Sequence, residues 1–165
     1  MGEYVPYQRL EEILSSEKIS GKRIVLTGGC FELIHPGHLF LFEIAKGFGD
    51  ILVVNVVNDE RVRYHKGQKR PVIGELERAH VVSSIEWVDY STIHPDTKKG
   101  PTTELALLIK PDVIIRGERS WGYREKTRLR KLLGYDVKLI NIGRSNEKTS
   151  TTSIIDEIKR KYRIK

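Results

Sequence analysis

The run "ILVVNVVN", residues 51 to 58, constrains the fold of this chain more than any other feature. Its residues are Ile, Leu and Val apart from two asparagines, and they do not alternate with polar residues. A strand with one wet face would alternate, so this one expects apolar neighbours on both faces. Related runs recur: "RIVLT" at 23–27, "DVIIRG" after Pro111, "DVKLINIG" at 136–143, and a shorter "WVDYST". Between them lie stretches of helical pattern, "YQRLEEILSS", "LERAHVVSSI", "TTELALLIK", "REKTRLRKLLG" and "STTSIIDEIKRKY". Buried strands alternating with helices need crossover connections, which predicts a doubly wound α/β fold: a parallel sheet of about five strands with helices on both faces. No repeat, low-complexity tract or Pro/Gly/Ser-rich linker interrupts the 165 residues, so residues 1–165 are expected to form one domain.

In such sheets ligands bind outside the carboxyl ends of the strands. The segments that follow the strands are "GGCFELIHPGH", "DERVRYHKGQKRP", "RGERSWGYREK" and "GRSNEKTSTT". All contain glycine, and the last three are strongly basic. The net charge of +7 is therefore expected to gather at one rim of the sheet, which favours a phosphate-bearing small molecule over an extended nucleic-acid track. Cys30 is the only cysteine, which excludes an internal disulfide and makes a poor structural zinc site. No segment is apolar for the length of a bilayer, and the first residues lack a leader pattern. The expectation is a cytoplasmic protein without a membrane or nucleic-acid partner.

The segment "HPGH", residues 35 to 38, carries the sharpest chemical signal. Proline favours the first position of a helix, where its missing N–H costs nothing. Pro36 at that position makes His35 the N-cap and His38 the third helical residue, so two imidazoles flank the free N–H groups and the positive end of the macrodipole. Gly37 lets an anion approach the backbone. The following "LFLFEIA" predicts a buried helix that holds this end rigidly. Rigid donors suit charge that develops on phosphate oxygens during reaction. Two plainer readings stand beside this one: a cap with a packed polar neighbour, or a metal site with Cys30, for which no carboxylate or second thiol is suitably spaced.

"GGCFELIHPGH" resembles the first signature of the HxGH nucleotidyltransferases related to cytidylyltransferases, and "STT" at 150–152 resembles their second. "KGQKRPV", "ERAHVVSSIEWVDY" and "PDVIIRG" follow in the order used by the subgroup that contains the adenylyltransferase domain of ADP-heptose synthase and glycerol-3-phosphate cytidylyltransferase. The resemblance covers nearly the whole chain and implies a Rossmann-like fold. It also implies transfer of a nucleoside monophosphate, AMP from ATP in the favoured case, onto a sugar phosphate or similar acceptor, with Mg2+ and with release of pyrophosphate. CTP with glycerol 3-phosphate or another alcohol phosphate is the alternative, followed by FMN or phosphopantetheine as acceptor. A binding module without turnover is the reading from another class.

By the same resemblance, His35 and His38 stabilise the transferring phosphate, and Lys66 reaches it from a mobile loop after the second strand. Thr27, Gly28, Gly29, Cys30, Phe31 and Gly37 lie near the phosphates. Arg116 and Gly117 meet the base and ribose, while Ser150, Thr151 and Thr152 hold the outer phosphates with Arg144 and Lys148 close by. Hydroxyls at a helix start also act as caps, so that second role stays open for the serine and threonines. Asn58, Arg70 and Trp121 are the candidate acceptor residues, and a homodimer is implied. Glu32 stands where the family usually has aspartate and Gly28 where the heptose branch usually has asparagine. "RGERSWG" also departs from the usual glycine-aspartate pattern. These differences concern the base and the acceptor, not the reaction class.

Overall fold

The computed structural model describes residues 2–95, 101–117, 123–143 and 149–163. Among these the chain forms β1 Glu3–Tyr4, α1 Tyr7–Ile19, β2 Ile24–Gly29, α2 Pro36–Lys46, β3 Ile51–Val57, α3 Asp59–Lys66 and α4 Glu75–Ser83. It continues with β4 Tyr90–His94, α5 Pro101–Ile109, β5 Val113–Arg116, α6 Tyr123–Leu133, β6 Lys138–Asn141 and α7 Thr151–Tyr162.

The six strands form one parallel sheet in the order β1-β4-β3-β2-β5-β6. The chain builds outward from β2 through β3 to β4, then returns to lay β5 and β6 on the other side. The strand order therefore reverses between β2 and β5, and a crevice opens at their carboxyl ends. Successive side chains of each strand point to opposite faces, and the two faces feed two cores. Ile24, Leu26, Val53 and Ile114 pack with Leu10 and Leu14 of α1, Leu105 and Ile109 of α5, and Leu129 of α6. Val25, Val54, Val56 and Ile115 pack with Phe42 of α2 and with Ala79 and Val82 of α4. Helices on both faces of an unbroken apolar sheet are what the continuous strand runs require.

Four details differ from the sequence reading. A sixth strand, β1, pairs Glu3 and Tyr4 with Tyr90 and Ser91; two residues carry no periodic signal, and only the sheet edge makes them a strand. β4 begins at Tyr90 instead of Trp87. The expected mobile loop after the second strand contains α3, and Lys66 is its last residue. Only Val62 of α3 is buried, so no apolar stripe announced the helix, although Asn58 caps it by accepting from the Arg61 N–H at 2.9 Å. Finally, α2 was expected to be buried nearly all round, yet only Phe42 and Ala45 are fully covered. The helix rests one side on the sheet and leaves the other partly open.

Candidate active site

The crevice is shaped by how β2 ends. The β2–β5 ladder pairs Val25 with Val113 and Leu26 with Ile114, and the buried Thr27 hydroxyl then donates to the Ile115 carbonyl at 3.0 Å. Thr27 thus closes the floor of the crevice with its own side chain. Beyond it, a Cβ on Gly28 would lie 3.1 Å from both the Asn55 carbonyl oxygen and Thr102 Oγ1. Gly29 has a different reason to be glycine: a Cβ there would lie 2.9 Å from the Phe31 ring. Phe31 is buried and adopts a left-handed backbone with φ of 47°, which a non-glycine residue adopts at a cost of roughly 1–2 kcal/mol. Its ring folds back over Gly29, packs against Phe42 and meets His38 edge-on at 5.1 Å.

His35 takes the extended cap conformation, Pro36 is the first residue of α2, and the His38 N–H donates to the His35 carbonyl at 2.8 Å. The two imidazoles stack, with centroids 3.7 Å apart and planes 24° from parallel. Burial, then the charges of His35 and Lys66, push His38 down to about 3. It is therefore neutral at physiological pH, and its Nδ1 has no hydrogen-bond partner. A neutral imidazole donates one hydrogen bond, so His38 can offer a directed N–H but no net charge. An anion at this helix start would oppose the positive neighbours and raise the His38 pKa.

Two ion pairs, each with one buried partner, join this turn to the α3–α4 region. Glu32, 1% exposed, accepts from Arg70 Nε and Nη2 and from the Val72 N–H at 2.8 Å. Burial alone would raise its pKa. The Arg70 and Val72 bonds, with the charges of Arg70 and Lys66, outweigh that and hold the carboxyl below its usual range. Arg78, also 1% exposed, donates to the carbonyls of Cys30, Val57 and Ile73 and to Asp59 Oδ1. Neither pair was legible in the sequence, because the partners are 38 and 19 residues apart and no spacing rule links them.

The second helix start is built as expected in part. The Ser150 hydroxyl accepts from the Ser153 N–H at 3.1 Å, and Ser153 Oγ accepts from the Ser150 N–H at 2.8 Å, a reciprocal cap. Thr151 is buried and Thr152 exposed, so Thr152 is the member of the trio free to turn outward. Asp156 of α7 is close enough to Arg70 for its charge to add to the Glu32 contacts in raising the guanidinium pKa. Arg116 and Gly117 stand at the end of β5, on the far wall of the crevice. Gly37 occupies the second position of α2.

Asn58 caps α3 and lines a groove of about 540 Å³ with Asp59, Glu60, Arg63 and Gly74–Glu77. That groove is rich in carboxylates and is poorly suited to a phosphorylated acceptor. Arg144, Lys148 and Trp121 lie outside the described residues. Asn55, Thr92 and His94 form a cluster that sequence reading missed. They sit together at the ends of β3 and β4, each with a buried polar atom that has no hydrogen-bond partner. Within the strand runs they read as interruptions, and only the register brings them side by side. Among the described residues no three His, Cys, Asp or Glu gather to hold a metal ion. Both oxygens of Glu32, the nearest buried carboxylate, are taken. These residues do not fit a protein-held ion.

The site is thus a switch-point crevice of a parallel sheet, flanked by an HPGH helix start and by a hydroxyl-capped last helix. The chain belongs to the cytidylyltransferase-like family, whose model matches residues 26–157. It is 39% identical over 160 residues to the bifunctional protein HldE of Geobacter metallireducens, covering 93% of this chain and 30% of that protein. To HldE of Helicobacter pylori strain G27 it is 34% identical over 151 residues, covering 92% of this chain and 31% of that protein. The chain thus spans about a third of the length of these relatives. The crystal structure of the lipopolysaccharide core biosynthesis protein of Thermoplasma volcanium superposes with a TM-score of 0.66 at 27% identity, covering 76% of this chain and all of that one. A pantoate-beta-alanine ligase of Francisella tularensis shares the fold, with a TM-score of 0.62 at 16% identity, over 99% of this chain and 79% of that one.

Proposed function

We propose that this chain transfers AMP from magnesium-bound ATP to a sugar phosphate and releases pyrophosphate. The observation that carries the reading is the stacked His35–His38 pair at the start of α2, beside the crevice where strand order reverses. A phosphate oxygen of the acceptor attacks the α-phosphorus, a new P–O bond forms, and the bond to the β-phosphate oxygen breaks. A phosphate monoester with a second pKa near about 6 is already ionised at neutral pH, so the nucleophile needs no general base. The chain's work is to align two anions and stabilise charge on the α-phosphate and the departing pyrophosphate.

In this reading His35 and His38 donate to α-phosphate oxygens, and the backbone of Gly28–Cys30 and Gly37 approaches the phosphates. Lys66 supplies the compensating charge. The α7 start, through Thr152 and its free N–H groups, receives the outer phosphates, with Arg144 and Lys148 nearby. Arg116 and Gly117 hold base and ribose, and Trp121 borders the acceptor. Adenosine is preferred over cytidine, and a sugar phosphate over an alcohol phosphate, on the likeness to HldE and to the lipopolysaccharide core protein. The reading includes one folding unit working as a homodimer in the cytoplasm, without a nucleic-acid partner. Among the described residues no helix is long and apolar enough to cross a membrane.

The test is pyrophosphate release from MgATP and MgCTP, each with heptose 1-phosphate, glycerol 3-phosphate and phosphoethanolamine. Turnover of ATP with the sugar phosphate is expected. Turnover of CTP with glycerol 3-phosphate alone would replace this substrate assignment.

A further inference from the structure

α3 delivers Lys66, yet Val62 is its one buried residue. A single packed side chain locates a two-turn helix without fixing where its far end points. Polar contacts fix both ends instead. At the start, Asp59 receives Arg78, which also holds the Cys30 carbonyl of the glycine turn. Past the end, Gly67 turns with φ of 97°, and the Arg70 N–H donates to the Gly67 carbonyl at 3.0 Å. That turn links Lys66 closely to Arg70, and Arg70 and Val72 are both bound by Glu32. Glu32 belongs to the same β2–α2 connection as the histidine pair, three residues before His35. Lys66 lies near enough for its charge to act on both Glu32 and His38.

We infer that Glu32 and Arg70 are positioning residues, whose ion pair, buried on the Glu32 side, clasps the segment after α3 to the β2–α2 turn and so holds Lys66 beside His38. The inference rests on the proposed nucleotidyl transfer, in which Lys66 meets the reacting phosphate. A bidentate arginine–carboxylate pair fixes direction as well as distance, and the two arms of the site share one frame through it. Arg70 acts through Lys66, in place of the acceptor contact expected from sequence.

The experiment is a double-mutant cycle with MgATP and heptose 1-phosphate. Glu32→Gln and Arg70→Lys are each made with Lys66 present and with Lys66→Ala. With Lys66 present, both are expected to lower kcat by about tenfold or more, with KM for ATP within about threefold, and Glu32→Asp to recover most of the loss. In the Lys66→Ala background the same changes should cost less than about twofold. Equal losses in both backgrounds, or a loss confined to acceptor KM, would overturn the inference. Arg70 is partly exposed, so Arg70→Lys keeps the cycle readable should Glu32→Gln fold poorly. Limited tryptic cleavage after Lys66 reads the clasp without substrate: it should quicken in both variants while circular dichroism shows them folded, and unchanged cleavage would also overturn the proposal. Absence of pyrophosphate release by the wild type would instead defeat the proposed function, with the tryptic result still deciding the clasp.

Discussion

His38 is the residue on which chemistry and stability meet. Its folded pKa of about 3 lies below the unfolded value near 6.5, so between those values the unfolded chain binds a proton that the folded chain refuses. Stability from this group is complete above about pH 6.5 and is lost as pH falls towards 3, reaching on the order of 3 kcal/mol lost at pH 4. Chemical denaturation between pH 7 and pH 4 should show this slope, and His38→Phe should flatten it. A second residue-scale prediction concerns Gly29. Ala at this position meets the Phe31 ring at 2.9 Å and should destabilise by roughly 1–3 kcal/mol, measured by urea unfolding; an unchanged midpoint would show that the ring moves aside freely. The histidine pair was legible because proline, glycine and two imidazoles sit within four residues and their geometry is that of a helix start. Glu32 was not, since its meaning depends on Arg70 arriving from 38 residues away.

At the scale of elements, α7 separates two roles that sequence alone left joined. Ser150 is a cap by geometry, so Ser150→Ala should cost about 1 kcal/mol of stability. Thr152 is exposed, and Thr152→Val should leave stability within about 0.5 kcal/mol. If the helix start receives the outer phosphates, that variant raises KM for the nucleotide severalfold; unchanged KM would leave Thr152 no part in binding. The long strands and α1, α4, α5 and α6 were readable from apolar runs and helical spacing, the local signals of burial. α3 was not, for a physical reason: its place is set by capping and ion pairs, and Val62 alone makes no period. β1 was invisible because a two-residue strand is defined by its neighbour.

For the molecule as a whole, the alternation of buried strands and helices dictated a parallel sheet with two cores. The sheet order then placed the one reversal between β2 and β5, beside the histidine pair. The fold class and the place of the candidate site follow from those facts; the base and the acceptor do not, because they depend on side chains at loop ends and not on the sheet. Ligand linkage addresses the base: at a hundredfold excess over its dissociation constant, a nucleotide stabilises by about 2.7 kcal/mol, so MgATP should raise Tm more than MgCTP at equal concentration. The most direct test of the central claim is the rate of pyrophosphate release from MgATP with heptose 1-phosphate by the wild type and by His38→Ala, with ATP affinity measured alongside. A loss in kcat on the order of a hundredfold, with ATP binding nearly unchanged, is the result expected when a preorganised transition-state donor is removed. Equal turnover by the two proteins, or no pyrophosphate from folded wild type with any nucleotide and phosphate acceptor, would contradict it.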